Sequence, residues 1–289
     1  MKFLHFTLFV LLSITLALEA RSIEQIQESG EIIIAVYEDF PPYSYMENGE
    51  AKGIDVAIGK RIAKSLNVKP VWYFTGSDEN LDDDLRNIIW KGNLIHKTKA
   101  DIMMRVPYDY DYMRRVDVST GELQSDMVVI KSPYHSEKWV IITHKKLLPK
   151  INSLGVFAYN TIGVEIDTMP DKYMSSLNGG ALNRNIKRYF KYNKAIKDFK
   201  AGKIDALAGL QSQLEFLLDY KDNKDIYYMS NEIIGIKSAW DLGIAVRMDF
   251  RPLSYHIDGL ISQLYKDKTL QKIFQDSNVT YEKPLSYGP

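Results

Sequence analysis

From Ile32 to Phe74 the chain alternates two apolar patterns, and that alternation limits what it can fold into. Ile32 to Val36 is a short continuous apolar run, the mark of a strand buried on both faces. Ile54, Ile58, Ile62 and Leu66 then recur every fourth residue and draw one stripe along a helix opened by Gly53. Asp55 sits in its first turn, where the helix dipole favours an acid. Pro70–Phe74 reads as the next strand, residues 82–94 as a helix turning Leu85, Ile88 and Ile89 inward, and Asp101–Met104 as a third strand. Strand, helix, strand in this order implies an α/β fold with a mainly parallel sheet and helices on its faces.

A second block repeats the style. Strands are expected at residues 139–143, 161–166, 186–190, 204–208 and 242–246, with helices at 170–176, 193–201 and 212–218. Two closing helices carry Ile257, Leu260, Ile261 and Leu264, then Leu270, Ile273 and Phe274. No low-complexity linker separates the blocks. Two open lobes joined this way imply a hinge, expected near Ser132–Ser136 and Lys237–Leu242. Lobe one is assigned residues 22–133 and 243–289, and lobe two residues 135–240.

Residues 1–20 read differently. Lys2 precedes an apolar run to Leu12, and small residues follow, as in a secretory signal peptide cut after Ala17 or Ala20. The chain has no cysteine, which excludes both a disulfide framework and a lipid-anchored cysteine. A periplasmic protein is expected. Its 37 basic and 37 acidic residues cancel, so no net basic field is available to hold nucleic acid.

The stretch AVYEDFPPYSY, Ala35 to Tyr45, follows the first strand. Ligands of open α/β sheets bind beyond the C-terminal strand ends, so its aromatics are expected to line a cleft. Pro41-Pro42 favours an extended loop in which the rings cannot all face the core. Tyr108, Tyr110 and Tyr112 alternate with Asp109 and Asp111, which reads equally as an exposed amphipathic edge or a cleft wall. The acidic run Asp78 to Asp84 lacks the glycine and closing acid of a calcium loop, and reads as helix capping. His96, His135, His144 and His256 lack metal-ligand spacing. No hydrolase, P-loop or zinc-protease motif occurs. Neither a cofactor, a metal nor an enzymatic activity is expected.

Four ordered segments carry a resemblance: residues 32–66, KADIMMRVPYDYDYMRRVD, NTIGVEIDTMPDKYM, and DLGIAVRMDF with LISQLYKDKTLQKIF. Together they resemble type II periplasmic solute-binding proteins of the polar amino-acid class, bacterial family 3. The resemblance implies two lobes closing on a small solute and delivery to ABC permease subunits in the inner membrane by a monomer. It implies ligand contacts at Tyr37, Phe40 and Tyr43 in the first loop, where Tyr37 replaces the usual acid. Arg105 or Arg114 is implied to grip a carboxylate, beside Tyr108. Asp167 and Thr168 fall at the family's helix-start position in lobe two. Gln211 falls near the family's late acid, whose absence puts an α-ammonium ligand in doubt. DDDLRNIIWKG and ADIMMRVPYD also resemble a branch near proteins associated with periplasmic quinoprotein dehydrogenases. Three readings follow: a solute-binding protein, an accessory protein of such a dehydrogenase, and, as a minor third, a small lyase on the same fold.

Overall fold

The computed structural model describes residues 21–77, 80–92, 97–117, 120–147, 151–237 and 239–288. The expected signal peptide lies outside the described residues, as do His96, Asp78 and Glu79 of the acidic run, and the end of the helix expected at residues 82–94.

Helix α1 (Ile23–Ser29) leads into strand β1 (Glu31–Tyr37). The hairpin β2 (Tyr45–Glu47) and β3 (Glu50–Lys52) follows, then α2 (Ile54–Ser65) and β4 (Lys69–Thr75). Asn48 and Gly49 join the hairpin with both φ angles positive, the turn chemistry that a two-residue loop demands. Helix α3 (Leu81–Leu85) widens into a π turn at Arg86–Trp90, then β5 (Ile102–Tyr108), α4 (Tyr110–Met113) and α5 (Gln124–Met127) follow. Next come β6 (Val128–His144), β7 (Ile162–Glu165), α6 (Met169–Ser176), β8 (Ile186–Tyr189), α7 (Tyr192–Lys200), β9 (Ala206–Leu210), α8 (Gln211–Leu217) and β10 (Tyr227–Met229). The chain closes with β11 (Ala239–Arg247), α9 (Arg251–Lys266) and α10 (Thr269–Asp276).

The strands follow the order β4-β1-β5-β11-β6-β9-β7-β8, with β10 also on β6. Pairing is parallel at both ends, among β4, β1 and β5 and among β9, β7 and β8, and antiparallel through the middle. The long strand β6 joins the two halves. Its first part pairs with β11 through Lys138, and its second pairs with β9 from Trp139. Strand β11 returns alongside it from Ala239.

Helices cover both faces of β1, which explains its continuous apolar run. Ile32, Ile34 and Val36 pack with the α2 stripe and with Leu253, Ile257 and Phe274. Ala35 packs on the other side with Leu85, Ile88, Met103 and Ala245. A second pair of cores flanks the other half, one around Val140, Phe199 and Leu214, the other around Ile141, Phe157 and Val164.

Two local expectations are corrected. The Pro41-Pro42 loop is a tight turn rather than an extended one, because the amides of Tyr43 and Ser44 both donate to the Phe40 carbonyl, and Phe40 N–H donates back to Ser44. Tyr110 to Tyr112 do not alternate as an extended edge, because Asp109 accepts from the amides of Asp111 and Tyr112 and starts α4 there.

Candidate functional site

Arg105 is the centre of the arrangement, and an irregularity in two strand pairings places it. On β5, Met103 and Val106 pair with Ala245 and Gly243 of β11, so Met104 and Arg105 together face the single residue Ile244. This is a β-bulge, a device that re-aims a side chain. Arg105 takes φ = 64°, uncommon for a residue with a Cβ. On the other side of β11, Gly243 faces the three residues Ser132, Pro133 and Tyr134 of β6, and Ser132 also has positive φ. The two bulges lie on opposite sides of β11 at the neighbouring residues Ile244 and Gly243. A Cβ on Gly243 would stand 2.7 Å from the Lys131 carbonyl oxygen, so the close approach requires glycine.

The Arg105 side chain is only 6% exposed. Its guanidinium carbon lies 3.7 Å from the Tyr43 ring centre and 4.8 Å from that of Phe40. Those two rings stack on each other, with centres 6.1 Å apart. Arg105 Nη2 stands 3.6 Å from Glu137 Oε2, and Glu137 is almost fully buried. Arg105 Nη1 is buried and, among the described residues, has no hydrogen-bond partner.

A polar network surrounds this pair. The Tyr43 hydroxyl donates to Glu137 Oε2 at 2.6 Å and also lies 3.0 Å from Ser212 Oγ. Ser212 Oγ is 3.3 Å from His135 Nε2, and His135 Nδ1 meets the backbone of Glu282. Tyr134 donates to buried Asp55 at 2.7 Å. Burial pushes the Asp55 carboxyl up to about 7, against the opposing pull of Arg105 and Tyr134. Burial, reinforced by Arg105, pushes His135 down to about 3, so it is neutral. Burial opposes the Arg105 charge, but Tyr43, Glu137 and Asp55 outweigh it and hold the guanidinium protonated. A buried cation with two acids, two rings and one idle N–H fork can bind an anion or fix the strands around it.

The residues implied by sequence fall into separate groups. Phe40, Tyr43 and Arg105 come together. Tyr37 stands next to them, 6.2 Å from Phe40 between ring centres, with its hydroxyl on Asp84 at 2.7 Å. Tyr108 ends β5 opposite Asp241. Gln211 is buried at the start of α8, bonded to Glu215 and Glu282. Arg114 is exposed instead, lying 5.4 Å from the exposed ring of Tyr110. Asp167 is exposed, and its amide donates to Asp171. The Thr168 hydroxyl is occupied by the Glu165 carbonyl at 2.7 Å. Asp55, Tyr134, His135, Glu137 and Ser212 carry no motif, and sequence reasoning missed them. For Asp55 the one signal was its place in a helix otherwise striped with isoleucine.

A sequence profile described as bacterial extracellular solute-binding proteins, family 3, matches residues 32–277. Solved structures share the fold. An ancestral cationic amino acid solute-binding protein aligns at 19% identity and TM-score 0.68, over 88% of this chain and 98% of that one. An amino acid ABC transporter substrate-binding protein from Streptococcus pneumoniae, bound to L-arginine, aligns at 18% identity and TM-score 0.63, over 91% and 100%. An ancestral amino acid-binding protein described as a precursor of cyclohexadienyl dehydratase aligns at 18% identity and TM-score 0.59, over 88% and 97%. Among the described residues no helix is long and apolar enough to cross a membrane.

Proposed function

Because the chain belongs to the bacterial extracellular solute-binding proteins of family 3, we propose that it captures a small polar or carboxylate-bearing, amino-acid-like solute in the periplasm. It holds the solute between two lobes, residues 22–133 with 243–289 and residues 135–240, and delivers it to an ABC importer. The observation that carries this reading is Arg105 Nη1, a buried, charged N–H donor with no acceptor among the described residues. Such a donor costs free energy unless an acceptor arrives, and a ligand carboxylate is the natural one. Phe40, half-buried beside it, supplies a ring face for the rest of the solute. Among the described residues, His135 is neutral and is buried together with Ser212, which favours binding over acid–base catalysis at this pair.

The test is native mass spectrometry of gently purified protein, followed by a thermal-shift screen of amino acids, organic acids and amines. A retained or stabilising carboxylate supports the reading. A screen in which only non-carboxylate amines stabilise the protein, or no solute does, contradicts it.

A further inference from the structure

Phe40, Tyr43 and Glu137 make a cage whose chemistry suits a cation. Two ring faces lie within 5 Å of one guanidinium carbon. Glu137 pairs with one of its nitrogens. Buried Asp55, bonded to Tyr134, stands near enough to favour the same cation electrostatically. Aromatic faces with buried acids are the means by which proteins recognise guanidinium and ammonium groups. The cage is already full. Its occupant is the chain's own Arg105, delivered on a bulge at positive φ.

We propose that Arg105 is a built-in occupant that sets specificity: it fills a cation cage with the protein's own guanidinium, excludes solutes bearing a guanidinium or ammonium there, and leaves Nη1 to select an anion. This deepens the solute-binding reading and rests on it for the identity of the site, but not for the cage itself. Three observations converge on it. The strand departs from regular pairing at this side chain. Glu137, the acid that faces the cage, is buried, so without a cation it stands uncompensated. And one nitrogen of the occupant is left without an acceptor among the described residues, which a purely structural arginine would avoid.

The experiment uses the full chain and two probes: methylguanidinium and its neutral analogue methylurea. Calorimetry and thermal shift are run on the wild type, Arg105→Ala and Arg105→Gly. The wild type should show no saturable binding of methylguanidinium. The two variants should lose thermal stability, regain it with methylguanidinium, and prefer it over methylurea by about tenfold or more. Adding Glu137→Gln to Arg105→Ala should abolish that recovery. Saturable binding of methylguanidinium by the wild type overturns the proposal, as does equal recovery with methylurea. Should the variants fail to fold alone, refolding yield with and without methylguanidinium decides: a higher yield supports the cage, and an unchanged one overturns it. None of these readouts depends on which solute, if any, the wild type binds, so the proposal and the solute-binding reading fail separately.

Discussion

The Arg105 guanidinium lies 3.7 Å from the Tyr43 ring centre, and the hydroxyl of that ring donates to Glu137, the acid that pairs with Arg105. The three side chains close a triangle in which each supports the other two. Low local dielectric strengthens all three contacts together and makes the loss of any one expensive.

Removing one corner should therefore cost more than its own bond. Tyr43→Phe deletes the donor to Glu137 and is expected to destabilise the protein by about 1–3 kcal/mol. Glu137→Gln leaves Arg105 as an uncompensated buried charge, at about 3–5 kcal/mol. Urea denaturation of both variants and the double mutant should show a coupling of about 1 kcal/mol or more. Additive effects would mean that the triangle is three separate contacts.

Asp55 and His135 give stability a pH dependence with opposing slopes. Asp55 holds its proton up to about 7 in the folded protein, whereas an unfolded aspartate loses it near about 3.9. The native state thus binds more protons between those values, and this contribution to stability falls as pH rises through that window. His135 refuses a proton down to about 3, whereas an unfolded histidine takes one near about 6.5. Its contribution falls as pH drops through that window. Asp55→Asn should remove only the first slope. Denaturation series from about pH 4.5 to about pH 8 should show the variant gaining on the wild type as pH rises. A constant difference across the series would show that Asp55 titrates normally.

Much of the fold was legible because it rests on apolar periodicity. The α2 stripe and the β1 run lie within a residue or so of where the pattern puts them. The 17-residue length of β6 was not legible, because residues 128–138 mix Lys131, Ser132, Pro133, His135 and Glu137 into the run. Of these, His135 and Glu137 are buried at the middle of the sheet and find partners that are distant in sequence. Glu137, for example, meets Tyr43 and Arg105. Phe40, Tyr43 and Arg105 were readable from the resemblance and from strand-end logic. Asp55, Tyr134 and Ser212 were not, because a lone acid, tyrosine or serine carries no spacing signal until the fold closes.

Two glycines should respond in opposite ways to alanine. Gly53 has φ = 118°, and a Cβ there would collide with the backbone carbonyls of Tyr43 and Pro42. Gly53→Ala should be severely destabilising, by about 4 kcal/mol or more, and should disturb the Phe40–Tyr43 turn. Gly259 lies within α9 with no atom near its missing Cβ. Gly259→Ala should stabilise by about 0.5–1 kcal/mol through helix propensity. Thermal unfolding of both variants checks the pair, and a neutral Gly53→Ala would contradict the backbone geometry of the turn.

If the two lobes close as proposed, the two central strands carry a native reporter of that movement. Trp139 on β6 and Trp240 on β11 stand with ring centres 5.6 Å apart, where the pairing of the two strands passes from one half of the sheet to the other. A hinge at residues 132–136 and 237–242 would turn one lobe against the other with few dihedral changes, and Trp240 lies within its span with Trp139 just beyond it. A solute that engages Arg105 should therefore change tryptophan emission with the same midpoint that calorimetry gives. Trp72 and Trp90 lie elsewhere and should contribute a constant background. Trp240→Phe should remove most of the change while leaving affinity within about threefold, a cost under about 1 kcal/mol. Small-angle scattering on the same samples should show contraction at saturation. If emission changes equally in Trp240→Phe and the scattering profile does not move, solute binds without closure and the hinge assignment fails.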